Sequence, residues 1–303
     1  KKMTFHSGEI AIQNQAGVRD EAQRLCHLIS DIIKPAAQEF LKNQQLAVVS
    51  TVDTNGKVWA SLLTGEPGFI RVLSDQIIQL EPNPPTPFST TEGGEVTNLY
   101  QNLTINNTVG LIIIDLANRR RLRLNGKANL QSDGKINIEI EQAFFNCPKY
   151  IQVRYVETEI AESFRQPEIF VRDVLTQTDE KWITQADTFF IASCHPEIGA
   201  DASHRGGSPG FVQVLNSKQL VFPDYQGNNM FQTFGNLLVN PHAGLLFIKF
   251  ENGHTLQLTG QANVIWDTVR VSEIPNAQRL VEFNIEQVLE IRNACSLRWR
   301  FGE

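Results

Sequence analysis

Asp201-Ala202-Ser203-His204-Arg205-Gly206-Gly207-Ser208-Pro209-Gly210-Phe211-Val212 ends on a tetrapeptide that has already occurred once. Pro209-Gly210-Phe211-Val212 repeats Pro67-Gly68-Phe69-Ile70, 142 positions earlier. On the same offset Ser203, Gly207 and Leu215 fall on Ser61, Gly65 and Leu73. Beyond a stretch at 81–94 that contains four prolines and two glycines, and that reads as a long surface loop, the offset drops to 134. There Asn102-Leu103 meets Asn236-Leu237, and Gly110-Leu111 meets Gly244-Leu245. Leu122, Leu124, Gly126 and Ala128 meet Leu256, Leu258, Gly260 and Ala262. Ordered matches over most of both halves point to one domain-sized unit present twice.

A length of 303 residues, more than one hydrophobic core usually serves, agrees. The division expected is a helical lead-in over 1–45, a first copy over 46–156, a helical connector over 157–187 and a second copy over 188–303. Such copies can pack as a pseudo-twofold pair within the chain, imitating a homodimer and sharing clefts, and a true homodimer is also open.

Within each copy the pattern is that of strands. Leu46-Ala47-Val48-Val49-Ser50-Thr51-Val52, the turn Asp53-Thr54-Asn55-Gly56 and residues 57–63 read as a hairpin. Strand-like runs follow at 69–73, 76–80, 109–116, 121–130 and 135–145, with a short helix at 97–105. The second half gives 188–193, 211–215, 219–222, 244–250, 255–266, 280–291 and 296–301. In the lead-in, Val18, Ala22, Leu25, Ile29 and Ile32 recur at helical spacing before Pro35, which starts a second helical piece. In the connector, Pro167 and Asp179 are helix-start residues, and Ile169, Val171, Val174, Trp182 and Ile183 supply apolar contacts. The fold class expected is mainly β with accessory helices (α+β).

Composition narrows the function. A formal charge of −6 and a pI near 5.6 oppose nucleic-acid binding, which needs clustered Lys and Arg. No apolar run is long enough to suggest a membrane span. Cys26, Cys147, Cys194 and Cys295 are scattered, without a CxxC pair, and the six histidines form no HExxH motif. The chain is therefore expected to hold no metal, to keep reduced thiols and, with no secretory h-region after Phe5-His6, to be cytoplasmic.

Chemistry concentrates in 201–211, read as a loop between two strands. Its Arg205 fork, the Ser203 hydroxyl and the backbone N–H groups of Gly206 and Gly207 suit a phosphate monoester, with His204 placed to orient it or move a proton. The competing readings are a β-turn with a solvated arginine and a histidine held by a structural hydrogen bond. Downstream, Phe222-Pro223-Asp224-Tyr225-Gln226-Gly227-Asn228-Asn229-Met230-Phe231 leads into a helix carrying Gln232 and Asn236. These amides could bond an isoalloxazine edge or ribityl chain, with Tyr225, Phe231 and Phe234 covering a ring face. In Arg119-Arg120-Arg121-Leu122-Arg123-Leu124, strand alternation puts Arg119, Arg121 and Arg123 on one face, either solvated or lending charge to a shared site. Lys149, in the turn Cys147-Pro148-Lys149-Tyr150, is a further candidate cation.

In their order, 201–211, 222–231, Asn236-Leu237-Leu238-Val239-Asn240-Pro241, Gly244-Leu245-Leu246-Phe247 and Leu256-Gln257-Leu258-Thr259-Gly260 resemble the pyridoxamine 5'-phosphate oxidase-related FMN-binding split-barrel family. Phe5-His6-Ser7-Gly8-Glu9 and residues 146–152 look like its larger two-copy members. The resemblance implies a six-stranded split barrel present in tandem, with FMN in a barrel–barrel cleft held by Ser203, His204, Arg205, Gly206, Gly207, Phe222, Asp224, Asn228, Asn229, Gln232, Asn236, Lys149 and Arg121. It implies an FMN-dependent oxidoreductase acting on a small molecule or on electrons from a nicotinamide nucleotide. A non-enzymatic flavin-binding or electron-accepting module is the alternative, with haem or deazaflavin binding behind it. No catalytic residue stands out. Leu63 takes the place of Arg205 in the first copy, beside Glu66 and the proline-rich insertion, so one FMN per chain is expected, in the second copy.

Overall fold

The computed structural model describes residues 4–82, 99–157 and 165–302. The lead-in is helical as expected: α1 (Ser7–Gln15), α2 (Arg19–Leu25), a 3-10 turn (Cys26–Leu28) and α3 (Pro35–Leu41), which begins on its proline. Then come β1 (Leu46–Val52), β2 (Val58–Thr64), β3 (Ile70–Val72), β4 (Ile77–Leu80), α4 (Leu99–Ile105), β5 (Thr108–Asp115), β6 (Arg120–Leu130) and β7 (Ile136–Asn146). Most of the proline-rich insertion and the expected start of the helix at 97 lie outside the described residues.

The connecting stretch brings β8 (Arg154–Val156), β9 (Glu168–Arg172) and α5 (Gln177–Gln185). It is less helical than expected: Ile169 and Val171 pair with Ile291 and Leu289 as strand residues. The helix starts instead at Thr176, whose side chain accepts from the Asp179 N–H while Asp179 accepts from the Thr176 N–H. The second half holds β10 (Thr188–His195), β11 (Gly199–Gly206), β12 (Gln213–Asn216), β13 (Gln219–Asp224), α6 (Gln232–Val239), β14 (His242–Lys249), β15 (His254–Ile265), α7 (Thr268–Ser272), β16 (Arg279–Arg292) and β17 (Trp299–Phe301).

Two antiparallel sheets share one topology. The first runs β2-β1-β5-β6-β7-β4-β3, the second β11-β10-β14-β15-β16-β13-β12, with β9 added on β16 and β8 paired to β17. Each common path has seven strands rather than six, because the short hairpins β3–β4 and β12–β13 contribute two strands each. The sequence offsets are obeyed by the hydrogen-bond register. Ala47 faces Leu63 as Phe189 faces Arg205, and Val48 faces Ile112 as Phe190 faces Leu246.

Strand alternation then builds three cores. Ala47, Val49, Leu111 and Ile113 point into the first unit, and Phe189, Ile191, Leu245 and Phe247 into the second. The intervening residues, Val48, Ile112, Ile114, Phe190, Ala192, Leu246 and Ile248, meet in a third core between the sheets, closed by Trp299. Contact between the units is reciprocal, β11 lying on β5 and β6 and β2 on β14 and β15. Two matched glycines explain how closely. A Cβ on Gly110 would collide with the backbone of Asp201, and one on Gly244 with the backbone of Trp59, the position equivalent to Asp201. Among the described residues no helix is long and apolar enough to cross a membrane, and none of the four cysteines is in a disulfide.

Candidate functional site

The segment read as a loop at 201–211 is largely strand. Residues 199–206 form β11, and Thr188 to His195 pair with them along their full length. β11 is the edge strand of its sheet, so the ladder takes up only those of its main-chain groups that turn to β10. Gly206 and Gly207 have a steric reason to be small: a Cβ would strike the Tyr150 carbonyl at Gly206 and the Phe211 ring at Gly207. The Gly207 N–H donates to the Asp187 carbonyl.

A cleft opens where the end of β11 meets β6 of the other unit. Its walls bring together Arg121, Ser203, His204, Arg205, Gly206, Asp224, Asn228, Asn229 and Gln232, nine of the thirteen residues singled out from sequence. The other four lie elsewhere. Phe222 is fully buried, edge-on to Phe189 in the second core. Asn236 Oδ1 accepts from His6 Nε2 and its Nδ2 donates to Ser193 Oγ, at 3.0 Å each, facing a neighbouring chamber. Gly207 packs under Phe211, and Lys149 is an exposed turn residue that does not line the cleft.

Charge in this cleft comes from both units. Arg121 and Arg123, on the face of β6 turned to the second unit, are buried, whereas Arg119 sits exposed in the preceding turn with φ 53°. Arg123 forms a buried ion pair with Asp201, its Nε 3.1 Å from Oδ1. Arg205 Nη1 donates to Asp224 Oδ1 at 2.8 Å, and Arg279 Nε donates to the other oxygen at 2.9 Å. Arg121 Nη1 lies 2.7 Å from His204 Nδ1. A guanidinium only donates, so His204 Nδ1 accepts and its proton resides on Nε2. Complete burial, with Arg121 and Arg205 close by, holds the His204 pKa well below its ordinary value, so the ring stays neutral. Desolvation pulls the Arg121 pKa down to about 10, the Cys147 thiol working against that and Arg123 and Arg205 with it.

Four guanidinium groups thus face two carboxylates, leaving two positive charges over. Three N–H donors at the cleft are buried without a partner among the described residues: Arg121 Nε, Arg205 Nε and His204 Nε2. Native interiors rarely leave such groups unpaired, so their convergence marks a place for an acceptor-rich anion. Aromatic rings stand next to it. Tyr150 and Tyr225 lie 5.4 Å apart and Phe231 stacks on Phe234 at 5.8 Å. The cleft has a volume of about 110 Å³.

Sequence reasoning missed Asp201 and Arg279, which hold Arg123 and Asp224, as well as Asn146 and Tyr150 in the wall. Asp201 had one legible signal. It alternates with Ser203 and Arg205 once the segment is read as a strand.

No curated protein matches the chain. Similar solved structures correspond to little more than a third of it. They include HupZ of Group A Streptococcus (10% identity, 37% of this chain and 90% of that one, TM-score 0.31). A putative pyridoxamine 5'-phosphate oxidase from Lactobacillus delbrueckii gives 16% identity over 39% of this chain and 94% of that one, TM-score 0.31. A FAD-binding protein from Mesorhizobium loti gives 13% identity over 40% and 96%, TM-score 0.28. The sequence model of one family, described as pyridoxamine 5'-phosphate oxidase, matches residues 33–160 and again 175–292. Matched twice and over most of its length, the chain belongs to the pyridoxamine 5'-phosphate oxidase family.

Proposed function

We propose that the cleft between the two units binds FMN, its phosphate held by Arg121, His204 and Arg205, and that the protein is an FMN-dependent oxidoreductase of a small molecule. The observation that carries this reading is Arg121, a buried guanidinium with no carboxylate of its own and a free Nε–H, beside two further unpaired donors. A dianionic phosphate matches the two surplus charges and accepts all three bonds, whereas water would leave the charge uncompensated. FMN would supply the electron chemistry, and the chain would fix its phosphate, cover its ring with Tyr150, Tyr225 and Phe231, and exclude solvent. Asp224 keeps Arg205 extended across Phe234, so the fork is in place before a ligand arrives. Four cysteines outside any disulfide are in keeping with a cytoplasmic setting.

The test is the absorption spectrum of the protein after incubation with FMN, followed by titration with FMN and with riboflavin. Flavin bands and clear preference for FMN are expected, and equal affinity for riboflavin would show that the three donors do not hold a phosphate. Anaerobic addition of NADH or NADPH then examines catalysis. Bleaching of the bound flavin is the expected result, and a stable yellow spectrum with both nucleotides would favour a binding or partner-reduced role.

A further inference from the structure

A second chamber, about 470 Å³, lies beside the cleft and shares Gln232 with it. It too is built from both units, between the β6–β7 ladder, the turn joining β10 to β11, the start of α1 and one side of α6. Its chemistry is the reverse of the cleft's. Glu9, Asp31, Glu139, Glu141 and Glu197 contribute carboxyl groups to the wall, Asp201 stands there already paired with Arg123, and none of the described residues that line it is a lysine or arginine. One neutral wall residue points the same way. Asn125 is 7% exposed, its amide N–H groups are within bonding distance of Gln142 and Asp201, and its Oδ1 is buried with no donor. Among the described residues that acceptor meets no donor.

The carboxylates do not converge. Among the described residues no three acidic, histidine or cysteine side chains are grouped so as to hold a metal ion. A spread of negative charge over a chamber of this size, together with an unmet acceptor, suits an extended cation with several N–H donors better than a compact, strongly hydrated divalent ion. We propose that the chamber binds a small aliphatic di- or polyamine, one ammonium donating to Asn125 Oδ1 and another lying along Glu139 and Glu141. This site is separate from the anion cleft and does not require FMN to be bound.

Calorimetric titration of the full chain with 1,4-diaminobutane and spermidine tests it, with 1,4-butanediol as the uncharged probe of equal length. Saturable heat is expected from both amines, spermidine binding the more tightly, with none from the diol. Glu139→Gln/Glu141→Gln should weaken amine binding about tenfold or more and make it less salt-sensitive. Asn125→Leu should weaken it as well, and unchanged FMN titration in each variant serves as the check on folding. Arg121→Leu should leave amine binding intact while FMN binding falls, so failure of the cleft and failure of the chamber are read separately. The proposal is overturned by absence of heat with millimolar amines, by equal binding of the diol, by full displacement at equimolar Mg²⁺, or by a double variant that binds as the wild type does.

Discussion

β11 and β2 occupy equivalent positions in the two units, and their surroundings differ almost entirely in charge. Against β11 stand Arg121 and Arg123 of the first unit, the second paired with Asp201. Against β2 stand Thr255 and Gln257 of the second unit, with Trp59 in the place of Asp201. Gln257 Nε2 donates to the Ala60 carbonyl at 2.7 Å and lies 3.2 Å from Ser61 Oγ, and Thr259 Oγ1 donates to the Val58 carbonyl at 2.7 Å. Trp59 Nε1 donates to Asp53 within its own unit. Leu63, opposite Ala47, lies in the first core, whereas Arg205, opposite Phe189, reaches the cleft. One interface, used twice, is closed by neutral hydrogen bonds on one side and left with surplus charge on the other. Duplication within a single chain permits this asymmetry, which two identical subunits cannot have.

The largest expected effect follows from that contrast. Arg123→Leu strands the Asp201 carboxylate in a buried site and should cost about 3–5 kcal/mol of unfolding free energy. Gln257→Leu, its counterpart, breaks only neutral bonds and should cost about 1 kcal/mol. Urea unfolding of both variants measures the difference, and equal losses would mean that the ion pair is no more important than the amide.

A second contrast concerns the caps. Asn102 donates to Thr51 and Asn236 to Ser193, at 3.0 Å each and at equivalent positions. Only Asn236 has α1 over it. The Gly8 N–H donates to His6 Nδ1, so His6 Nε2–H donates to Asn236 Oδ1, while Asn102 Oδ1 has no partner among the described residues. Burial, with Asp201 nearby, raises the Glu9 pKa to about 7, against the bond from the His6 N–H. A carboxyl whose folded pKa exceeds its unfolded value loses stability as pH rises from about 4.5 through 7. Burial depresses His6 and His204, which act in the opposite sense, losing stability as pH falls through about 6.5. The difference between wild type and Glu9→Gln isolates the carboxyl. Relative to wild type, the variant should gain about 2–3 kcal/mol between pH 5 and pH 8. A pH-independent difference would show that Glu9 ionises normally.

At the cleft, Arg121→Leu should weaken FMN binding by about 1.5–3 kcal/mol, roughly ten- to a hundredfold, and leave riboflavin unaffected. Arg205→Leu should cost FMN less, because Arg205 already shares its charge with Asp224. Leu63→Arg should add no second flavin, its surroundings lacking counterparts of Arg121 and Arg123; two flavins per chain by absorbance would contradict the asymmetry. His6→Ala, which makes Asn236 resemble Asn102, should cost about 1 kcal/mol in the same urea assay, as little as Gln257→Leu.

The sequence alone determined the duplication, its two offsets and most strands, because alternation, the Asn-Gly turn and the matched glycines are local or periodic constraints. Gly110 and Gly244 were legible as identities, although the backbone crossing that demands them was not. Of the thirteen candidate residues singled out from the sequence, the fold brings nine to one cleft. Read as a loop, 201–211 put the anion on glycine N–H groups and on Arg205, since glycine-rich sequence resembles a turn when its pairing strand is not considered. Only the tertiary structure decided that Arg205 is already engaged by Asp224 and that the unpaired cation is Arg121, 83 residues from the His204 that receives it. Compensation of a buried charge depends on which groups packing brings within a few ångströms, and between strands of different units no spacing along the chain records that distance.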